Sequence, residues 1–408
     1  MPTVEWRLRA FTGDWRAAAT PYKAWLTATR PPVSNASRPW VANIRAVVRT
    51  VPDASLLAPL AQQFVPEQTL LYLHDWRQNG YDENYPDYTP RAAVASYVSA
   101  AHALGFRVML HTDFIGVTPS NPDYPGVQAF HVKTPDKLAP TGWLWSSPPS
   151  TPQRFAYISP ASADFRSLFI ARVGAAVSAV GPDALHLDIS APEFNDGNGL
   201  IEGKTFAQGS AALHEDLTTA FPSLALGGEG ENDILYRYHA FAQEWALNGD
   251  APGHPINAFI FGPTVRYYGH LSQPSAQDPS LKGVLLQLER RAIAPAMIVT
   301  SASDLDMTNV DNARLVNIVK SWQTNAFVPD WTGDWTGAAI RYTGLGGTSA
   351  DFTETQGLST LTALGAPCSA SPMMGASSRH RGSRSAGRRS TRRRCSGSSD
   401  WRCTSWTR

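Results

Sequence analysis

The chain has 408 residues, of which 43% are hydrophobic and 17% charged, and its formal net charge is +1. This composition is typical of a globular protein, and no apolar run approaches the roughly 20 residues that would span a bilayer. The charge is uneven: ten arginines and one acid, Asp400, follow Ala366, whereas the preceding residues carry 25 basic and 33 acidic side chains. A mildly acidic body argues against a surface for nucleic acid or anionic membrane, so neither partner is expected.

The predicted elements alternate along the body of the chain. Extended segments are predicted at 40–51, 69–76, 106–113, 184–190, 224–229, 257–262 and 295–300, and helices at 54–64, 90–105, 162–180, 206–221, 234–247, 281–291 and 309–325. Strands that are nearly all apolar and alternate with helices indicate a parallel sheet covered by helices. Seven or eight such units favour closure into a (β/α)8 TIM barrel.

The two ends of the chain depart from this pattern. Residues 1–30 are interpreted as the remnant of an N-terminal β domain running into a linker helix, and the barrel is assigned to residues 38–345. Residues 365–408 are rich in Ser and Arg without periodicity and cannot bury a core. They are either a disordered basic arm or an out-of-frame translation product. The abrupt onset of arginine clusters favours the second interpretation.

Cysteine and the N-terminus give little information on location. Cys368, Cys395 and Cys403 all lie in the tail, so no disulfide or thiolate metal site is expected in the folded body. Residues 1–6 lack the cationic start and apolar stretch of a signal peptide. A cytoplasmic protein, or secretion of a longer precursor, remains open.

Two of the predicted strands end in a carboxylate. Alternation places His186 and Asp188 on one face of the first strand, and Gly227 and Glu229 on one face of the second. The carboxyl ends of parallel strands meet at one rim of a barrel, where barrel enzymes place their chemistry. The chain between the two acids is long enough for the single helical crossover that joins adjacent parallel strands. We therefore expect Asp188 and Glu229 to face each other.

Paired carboxyl groups suit glycoside hydrolysis. Retaining glycosidases use two such groups about 5 to 5.5 Å apart, one attacking the anomeric carbon and one protonating the leaving oxygen. Asp188 is the candidate nucleophile and Glu229 the candidate acid/base, because the glycines around Glu229 leave room for a sugar. Two alternatives stay open. Asp188 could simply cap the following helix, and Glu231 could replace Glu229 as the acid/base.

Further polar and aromatic side chains follow the predicted strands, where they could bind sugar hydroxyls or stack on a sugar ring. The substrate-binding candidates are His74, Asp75, Trp76, His111, Asp113, Trp143, Glu231, Arg266 and Tyr267. Rim histidines that satisfy their own hydrogen bonds and tryptophans that pack loops are the structural alternatives. His186 is expected to point inward below Asp188.

Several other chemistries lack their motifs. The sequence has no G-x-S-x-G elbow, Walker-type loop, C-x-x-C pair or H-E-x-x-H helix. A metal-dependent barrel hydrolase with His111, Asp113, Asp188 and Glu229 around a divalent ion is one alternative, although the first strand has no His-x-His pair. A non-catalytic carbohydrate-binding barrel is the other. The main hypothesis requires no metal and no cofactor, only a carbohydrate substrate.

Three segments carry a resemblance to a known family. They are Phe11-Thr-Gly13-Asp14-Trp15-Arg16 with Tyr22-Lys-Ala-Trp25, His186-Leu-Asp188, and Gly227-Gly-Glu229-Gly-Glu-Asn232. Over roughly residues 5 to 350 the chain resembles a bacterial family of unknown function related to glycoside-hydrolase barrels of the α-amylase and endo-α-N-acetylgalactosaminidase type. In those relatives an Asp nucleophile ends the fourth strand and a Glu acid/base ends the fifth.

The resemblance has further implications. It places Asp188 and Glu229 on those two strands and implies retaining hydrolysis of an α-linked oligo- or polysaccharide. It also implies an N-terminal β-sandwich closed by the Gly-Asp-Trp-Arg segment and a β domain after the barrel, so this chain resembles a truncated catalytic core. A third acid after the seventh strand would correspond to Asp304 or Asp306.

Overall fold

The structure is a computed structural model that describes residues 8–145, 153–244, 254–271, 288–333, 335, 339–344 and 349–353. Its strands are β1 (Ala46–Thr50), β2 (Thr69–Leu73), β3 (Arg107–Asp113), β4 (Gly116–Val117), β5 (Gly142–Trp145), β6 (Gln153–Tyr157), β7 (Ala184–Asp188), β8 (Ala225–Glu229), β9 (His239–Gln243), β10 (Arg266–Leu271), β11 (Ala294–Val299), β12 (Val328–Pro329), β13 (Ala339–Thr343) and β14 (Ser349–Thr353). Its helices are α1 (Trp15–Thr29), α2 (Leu57–Gln63), α3 (Val94–Leu104), α4 (Tyr124–Val127), α5 (Ala163–Val180), α6 (Phe206–Ala220), α7 (Ile256–Phe261) and α8 (Val310–Asn325).

Eight parallel strands close into a barrel in the order β1-β2-β3-β7-β8-β9-β10-β11, which confirms the (β/α)8 TIM barrel. Two small antiparallel sheets accompany it, β4-β6-β5 and β12-β13-β14. Apolar and aromatic side chains fill the barrel interior, among them Leu70, Tyr72, Met109 and Tyr268. None of the helices in the described ranges is long and apolar enough to cross a membrane.

Helix caps explain why the middle of the barrel is readable from sequence. The Ser162 hydroxyl accepts a hydrogen bond from the Phe165 amide at the start of α5, and Gly181 ends that helix in the left-handed conformation. A capping box between Thr205 and Gln208 begins α6. These signals fix β7 and β8 as the fourth and fifth barrel strands.

The predicted helix at 234–247 and the predicted strand at 257–262 are wrong. The structure has the sixth barrel strand, β9, inside the first segment and α7 inside the second. Every residue of β9 is buried, so its sequence carries no alternation that would separate a strand from a helix. β10 is consequently the seventh strand, and Arg266 begins a strand instead of following one.

Other predicted bounds change less. The segment predicted as a strand from residue 40 begins with a short 3₁₀ helix, Pro39–Asn43, and β1 is shorter than predicted. The helix predicted at 309–325 corresponds to α8. The strand before Asp304 and Asp306, β11, is the eighth of the barrel, so the expected third acid does not follow the seventh strand.

The N-terminal helix is fixed to the segment that follows α8. The Asp14 side chain caps α1 and also accepts hydrogen bonds from the Arg16 guanidinium, which donates to the carbonyls of Trp331 and Gly333 as well. The Trp15 indole donates to the Trp335 carbonyl at 3.0 Å. The domain limits 1–30 and 38–345 remain predictions. Residues 365–408 and most of the predicted helix at 281–291 lie outside the described residues.

Candidate active site

The structure brings Asp188 and Glu229 together at the carboxyl end of the barrel. Each acid is the last residue of its strand, and β7 and β8 are neighbours in the barrel. The two carboxyl groups hydrogen-bond to each other. The Ile189 amide also donates to Glu229 Oε2 at 3.2 Å. Two acids far apart in the sequence therefore share one site.

The surroundings of Asp188 favour its protonated form. Burial, and then the neighbouring Glu229 carboxyl group, raise the pKa of Asp188 well above its usual value. A hydrogen bond between two carboxyl oxygens also requires a hydrogen on one of them. Contact with Glu229 therefore acts in the same direction as burial.

Two buried histidines lie under Asp188. His186 Nε2 is 3.7 Å from Asp188 Oδ1, and His111 Nε2 is 4.0 Å from Oδ2. Tyr72 hydrogen-bonds to His111 Nδ1 at 2.6 Å, and Tyr268 contacts His186 Nδ1 at 3.4 Å. Burial lowers the pKa of both imidazoles well below the usual histidine value, so both are neutral. Their Nε2 atoms have no hydrogen-bond partner among the described residues.

Arg49 is a site residue that the sequence analysis missed. Its guanidinium donates to His74 Nδ1 at 2.8 Å, and the His74 ring stacks on Tyr81 with centroids 3.9 Å apart. Arg49 also acts to lower the pKa of Asp188, against the larger effect of burial. The available signal was one charged residue within the otherwise apolar strand β1.

Asp113 and Asp82 add two buried carboxyl groups near the pair. Asp113 Oδ1 accepts hydrogen bonds from the amides of Ile115 and Gly116, so Asp113 caps the turn between β3 and β4. Burial and the nearby Asp188 raise its pKa to about 7. Asp82 is 4% exposed, and burial followed by the charge of Asp113 raises its pKa to about 8. The sequence analysis missed Asp82 because its loop folds back over the rim.

The buried Asp82 predicts a measurable pH dependence of stability. Its folded pKa lies above the ordinary value of 3.8, so it stabilises the fold fully below that value and loses this contribution as the pH rises through about 8. Asp82→Asn cannot ionise, and Asn tolerates the observed φ of +60°. We expect the variant to exceed the parent by at least about 2 kcal/mol in urea unfolding at about pH 8.5 and to match it at about pH 4.

The matched control for this measurement is Asp136→Asn, which removes an exposed acid. It should leave the free energy of unfolding within about 0.5 kcal/mol of the parent at both pH values. A stability difference for Asp82→Asn that does not change with pH would contradict the account.

Several candidates from the sequence lie away from the acid pair. Trp76 is 1% exposed, and its indole donates to the His111 carbonyl, so it is a core residue. Asp75 forms a half-exposed ion pair with Arg91 at 2.7 Å. Trp143 lies on β5 of the small sheet and is 43% exposed. Trp76 is therefore a buried residue, and not the accessible rim residue that the sequence analysis expected.

Arg266, Tyr267 and Glu231 are also placed differently from expectation. Arg266 and Tyr267 begin β10, so they lie at the amino end of the barrel, opposite the acid pair. The Glu231 side chain is fully buried, and its Oε2 is 3.1 Å from His239 Nδ1. The glutamate that contacts Asp188 is Glu229.

The glycines around Glu229 are explained by close packing and by backbone conformation more than by room for a sugar. A Cβ on Gly228 would lie 2.5 Å from Ser190 Oγ and 2.6 Å from the His239 ring, so close packing requires glycine here. Gly230 has a φ of +71°, which favours glycine. Ile189, which follows Asp188, has a φ of +62°, a strained conformation for a β-branched residue. Such strain is frequent at functional sites.

Comparison with known proteins adds to this geometry. Residues 2–195 match the model of DUF6259, a domain of unknown function. The comparison with curated proteins gives no match. Ligand-free alpha-N-acetylgalactosaminidase NagBb from Bifidobacterium bifidum has a TM-score of 0.61 at 16% identity, covering 83% of this chain and 62% of NagBb.

A second solved structure shares the barrel. A variant of the GH36 alpha-galactosidase AgaA from Geobacillus stearothermophilus, in complex with raffinose, has a TM-score of 0.51 at 13% identity, covering 79% of this chain and 48% of AgaA. Identities this low show a shared fold only, and the chain spans less than two thirds of either relative. Residues 2–195 of this protein thus match the DUF6259 model, and its barrel is structurally similar to those of glycoside hydrolases.

Proposed function

We propose that this protein is a retaining glycoside hydrolase that cleaves an α-linked bond in an oligo- or polysaccharide. The observation that carries the proposal is the hydrogen-bonded pair of Asp188 and Glu229 at the carboxyl rim of the barrel. The likeness of the barrel to glycosidase barrels supports the same class of substrate.

Double displacement needs one ionised and one protonated carboxyl group, and the two acids of this site can supply them. One carboxylate attacks the anomeric carbon while one carboxylic acid protonates the leaving oxygen. Asp188 would form the bond to the anomeric carbon as the bond to the leaving oxygen breaks, and Glu229 would give up the proton. Glu229 then takes a proton from water, whose oxygen attacks the anomeric carbon and releases Asp188.

The surroundings of the pair support this assignment of roles. Arg49 favours the ionised form of Asp188, and the two neutral imidazoles beneath it can turn N–H dipoles toward its carboxylate. Retaining enzymes hold the two carboxyl groups about 5 to 5.5 Å apart, so a bound pyranose would have to separate the hydrogen-bonded pair. Loss of the Glu229 contact would remove one of the effects that raise the pKa of Asp188 and would thereby favour its ionised form.

A panel of nitrophenyl α- and β-glycosides tests the proposed activity. We expect nitrophenol release from at least one α-glycoside, with the α-anomer of the sugar as the first product seen by NMR. Sugar binding without turnover of any glycoside would favour the alternative of a non-catalytic binding barrel. Release of the β-anomer first would contradict retention.

One observation favours a second candidate function, metal-dependent hydrolysis. A nitrogen of His111, a nitrogen of His186 and a carboxylate oxygen of Asp188 lie within 4.8 Å of one another. Two imidazoles and a carboxylate are a donor set that catalytic zinc sites use. Asp113, which the sequence analysis included only in an alternative metal site, caps a turn with one oxygen.

Chelation separates the two candidates. The glycosidase proposal predicts that dialysis against EDTA changes kcat by less than about twofold, because no step requires a metal ion. A loss of turnover of about tenfold or more that added Zn²⁺ restores would instead support the metal-dependent hydrolase. The parent protein is assayed before and after dialysis with the same α-glycoside.

A further inference from the structure

A cavity of about 500 Å³ lies at the amino end of the barrel, opposite the acid pair. Its wall includes the first residues of β10 and β11, the 3₁₀ helix Pro39–Asn43, and the segment that follows α8. Asp188 and Glu229 do not line it. The cavity is thus a separate site from the one proposed for catalysis.

The wall of this cavity is positively charged. Arg38, Arg45 and Arg266 line it, and its described lining contains no Asp or Glu. Arg38 donates to the Leu224 carbonyl at 2.6 Å, and Arg45 donates to the Ala42 carbonyl at 2.7 Å. Carbonyl oxygens are neutral, so these contacts do not compensate the guanidinium charges.

Unpartnered hydrogen-bond donors also belong to the lining residues. Arg38 Nε, Arg266 Nε and the Trp322 indole nitrogen are buried without a hydrogen-bond partner among the described residues. Arg38 and Trp322 are only 2% and 6% exposed. Arg and Trp side chains donate and do not accept. Buried donors without partners are costly, and none of these three side chains brings an acceptor or a negative charge to the cavity wall.

The arginines remain cationic in spite of their burial. Burial, and then the charge of Arg45, lower the pKa of Arg266 to about 10, which still leaves it protonated at neutral pH. Two cations are therefore close enough to affect each other with no carboxylate on the described cavity wall. An anion in the cavity would relieve this repulsion.

The rest of the wall is apolar and aromatic. Trp322, Phe327 and Trp331 line the cavity beside Val41. Trp322 and Phe327 pack edge to face with centroids 5.8 Å apart. A fully hydrated inorganic ion would use only the arginine side of such a cavity. A ligand with an apolar or planar body would use both sides.

We propose that this cavity binds a small organic anion. Its carboxylate, sulfate or phosphate oxygens would accept hydrogen bonds from Arg266 and Arg45, with the charge of the buried Arg38 nearby, and its body would lie against Trp322, Phe327 and Trp331. The proposal does not depend on the glycosidase activity, because the two sites lie at opposite ends of the barrel. It would stand if the proposed function failed.

Thermal unfolding with added anions tests the proposal. The probes are sodium benzoate, acetate, sulfate and phosphate, titrated against sodium chloride at constant ionic strength. We expect a saturable rise in Tm of about 2 °C or more with benzoate at saturation, and at least about tenfold weaker binding of acetate. A stronger response to sulfate or phosphate than to benzoate would assign the anion group as a sulfate or phosphate ester.

Variants of the arginines provide the control. Arg266→Gln and Arg45→Gln should each weaken the anion response at least tenfold, and Arg266→Lys, which keeps the charge, should retain part of it. Arg172→Gln removes the same charge from an exposed ion pair with Asp123 and should leave the response unchanged. Equal responses in Arg266→Gln and the parent, or no saturable response to any of the four anions, would overturn the proposal.

Discussion

Asp188→Asn is expected to lower kcat on the best nitrophenyl α-glycoside by about 10⁴-fold or more. The amide is nearly isosteric but cannot form the ester to the anomeric carbon. The loss should be similar for good and poor leaving groups, because the nucleophile is required for both. Steady-state rates of purified parent and variant with two aryl leaving groups measure this effect.

Glu229→Gln should lower kcat by about 10²- to 10⁴-fold on substrates whose leaving group needs protonation. The loss should be much smaller for a dinitrophenyl glycoside, whose leaving group departs without a proton. This difference between the two variants separates the nucleophile from the acid/base.

The matched control for both acids is Asp216→Asn, which alters an ion pair between Arg166 and a half-exposed carboxylate on α6. Its kcat should stay within about twofold of the parent. Turnover at parental rates in both Asp188→Asn and Glu229→Gln would end the assignment of this site.

The second large effect concerns stability and arises from the network around His239. His239→Leu is expected to lower the free energy of unfolding by about 3–5 kcal/mol, because it leaves the fully buried Glu231 carboxyl group without its partner. His214 also loses its contact with His239 Nε2 at 3.0 Å. Urea unfolding of parent and variant measures the loss.

The hydrogen-bond network continues from His239 to His214. His214 Nδ1 donates to the Ser210 carbonyl at 2.8 Å, so the other nitrogen of a neutral His214 can only accept from His239. Burial lowers the pKa of His214 to about 3, which keeps it neutral. His239→Leu therefore removes a donor from His214 as well as the partner of Glu231 Oε2.

The control for this network is His102→Leu. His102 contacts Asp183 at 2.7 Å but is 35% exposed, and Asp183 keeps its hydrogen bond from Arg107. The expected loss is therefore only about 1 kcal/mol. Glu231 Oε1 keeps its hydrogen bond from the Asn232 amide, so the larger cost of His239→Leu arises from the fully buried Oε2. Equal destabilisation by His102→Leu and His239→Leu would contradict that cost.

Glu231→Gln links this network to the question of which glutamate is catalytic. It should reduce stability while leaving kcat per folded molecule within about threefold of the parent. Glu229→Gln should instead lower kcat and leave stability nearly unchanged. A large loss of kcat in Glu231→Gln together with an active Glu229→Gln would reassign the acid/base to Glu231.

The barrel and the juxtaposition of Asp188 with Glu229 could be predicted because the local signals agree there. β7 and β8 are short apolar runs that each follow a long, well-capped helix, so their place in the strand order is unambiguous. Parallel pairing then brings the ends of the two strands to one rim. Sequence periodicity is enough for this part of the site.

The rest of the site depends on contacts that sequence periodicity does not encode. β9 is buried on both faces, so its sequence does not distinguish a strand from a helix. Because the helix was chosen there, Arg266 is predicted at the carboxyl end of the barrel, whereas the structure places it at the amino end. Asp82 reaches the mouth only because a loop folds back. The burial of Glu231 depends on His239, which lies on another strand.

Covalent labelling tests the central claim most directly. The protein is incubated with the 2-deoxy-2-fluoro glycosyl fluoride of the sugar that the aryl glycoside panel identifies, and the intact protein and its peptides are then weighed by mass spectrometry. The account predicts one added glycosyl group per chain, on the peptide and side chain of Asp188, and no label in Asp188→Asn. A label on another residue, or continued rapid turnover with Asp188 replaced, would contradict it.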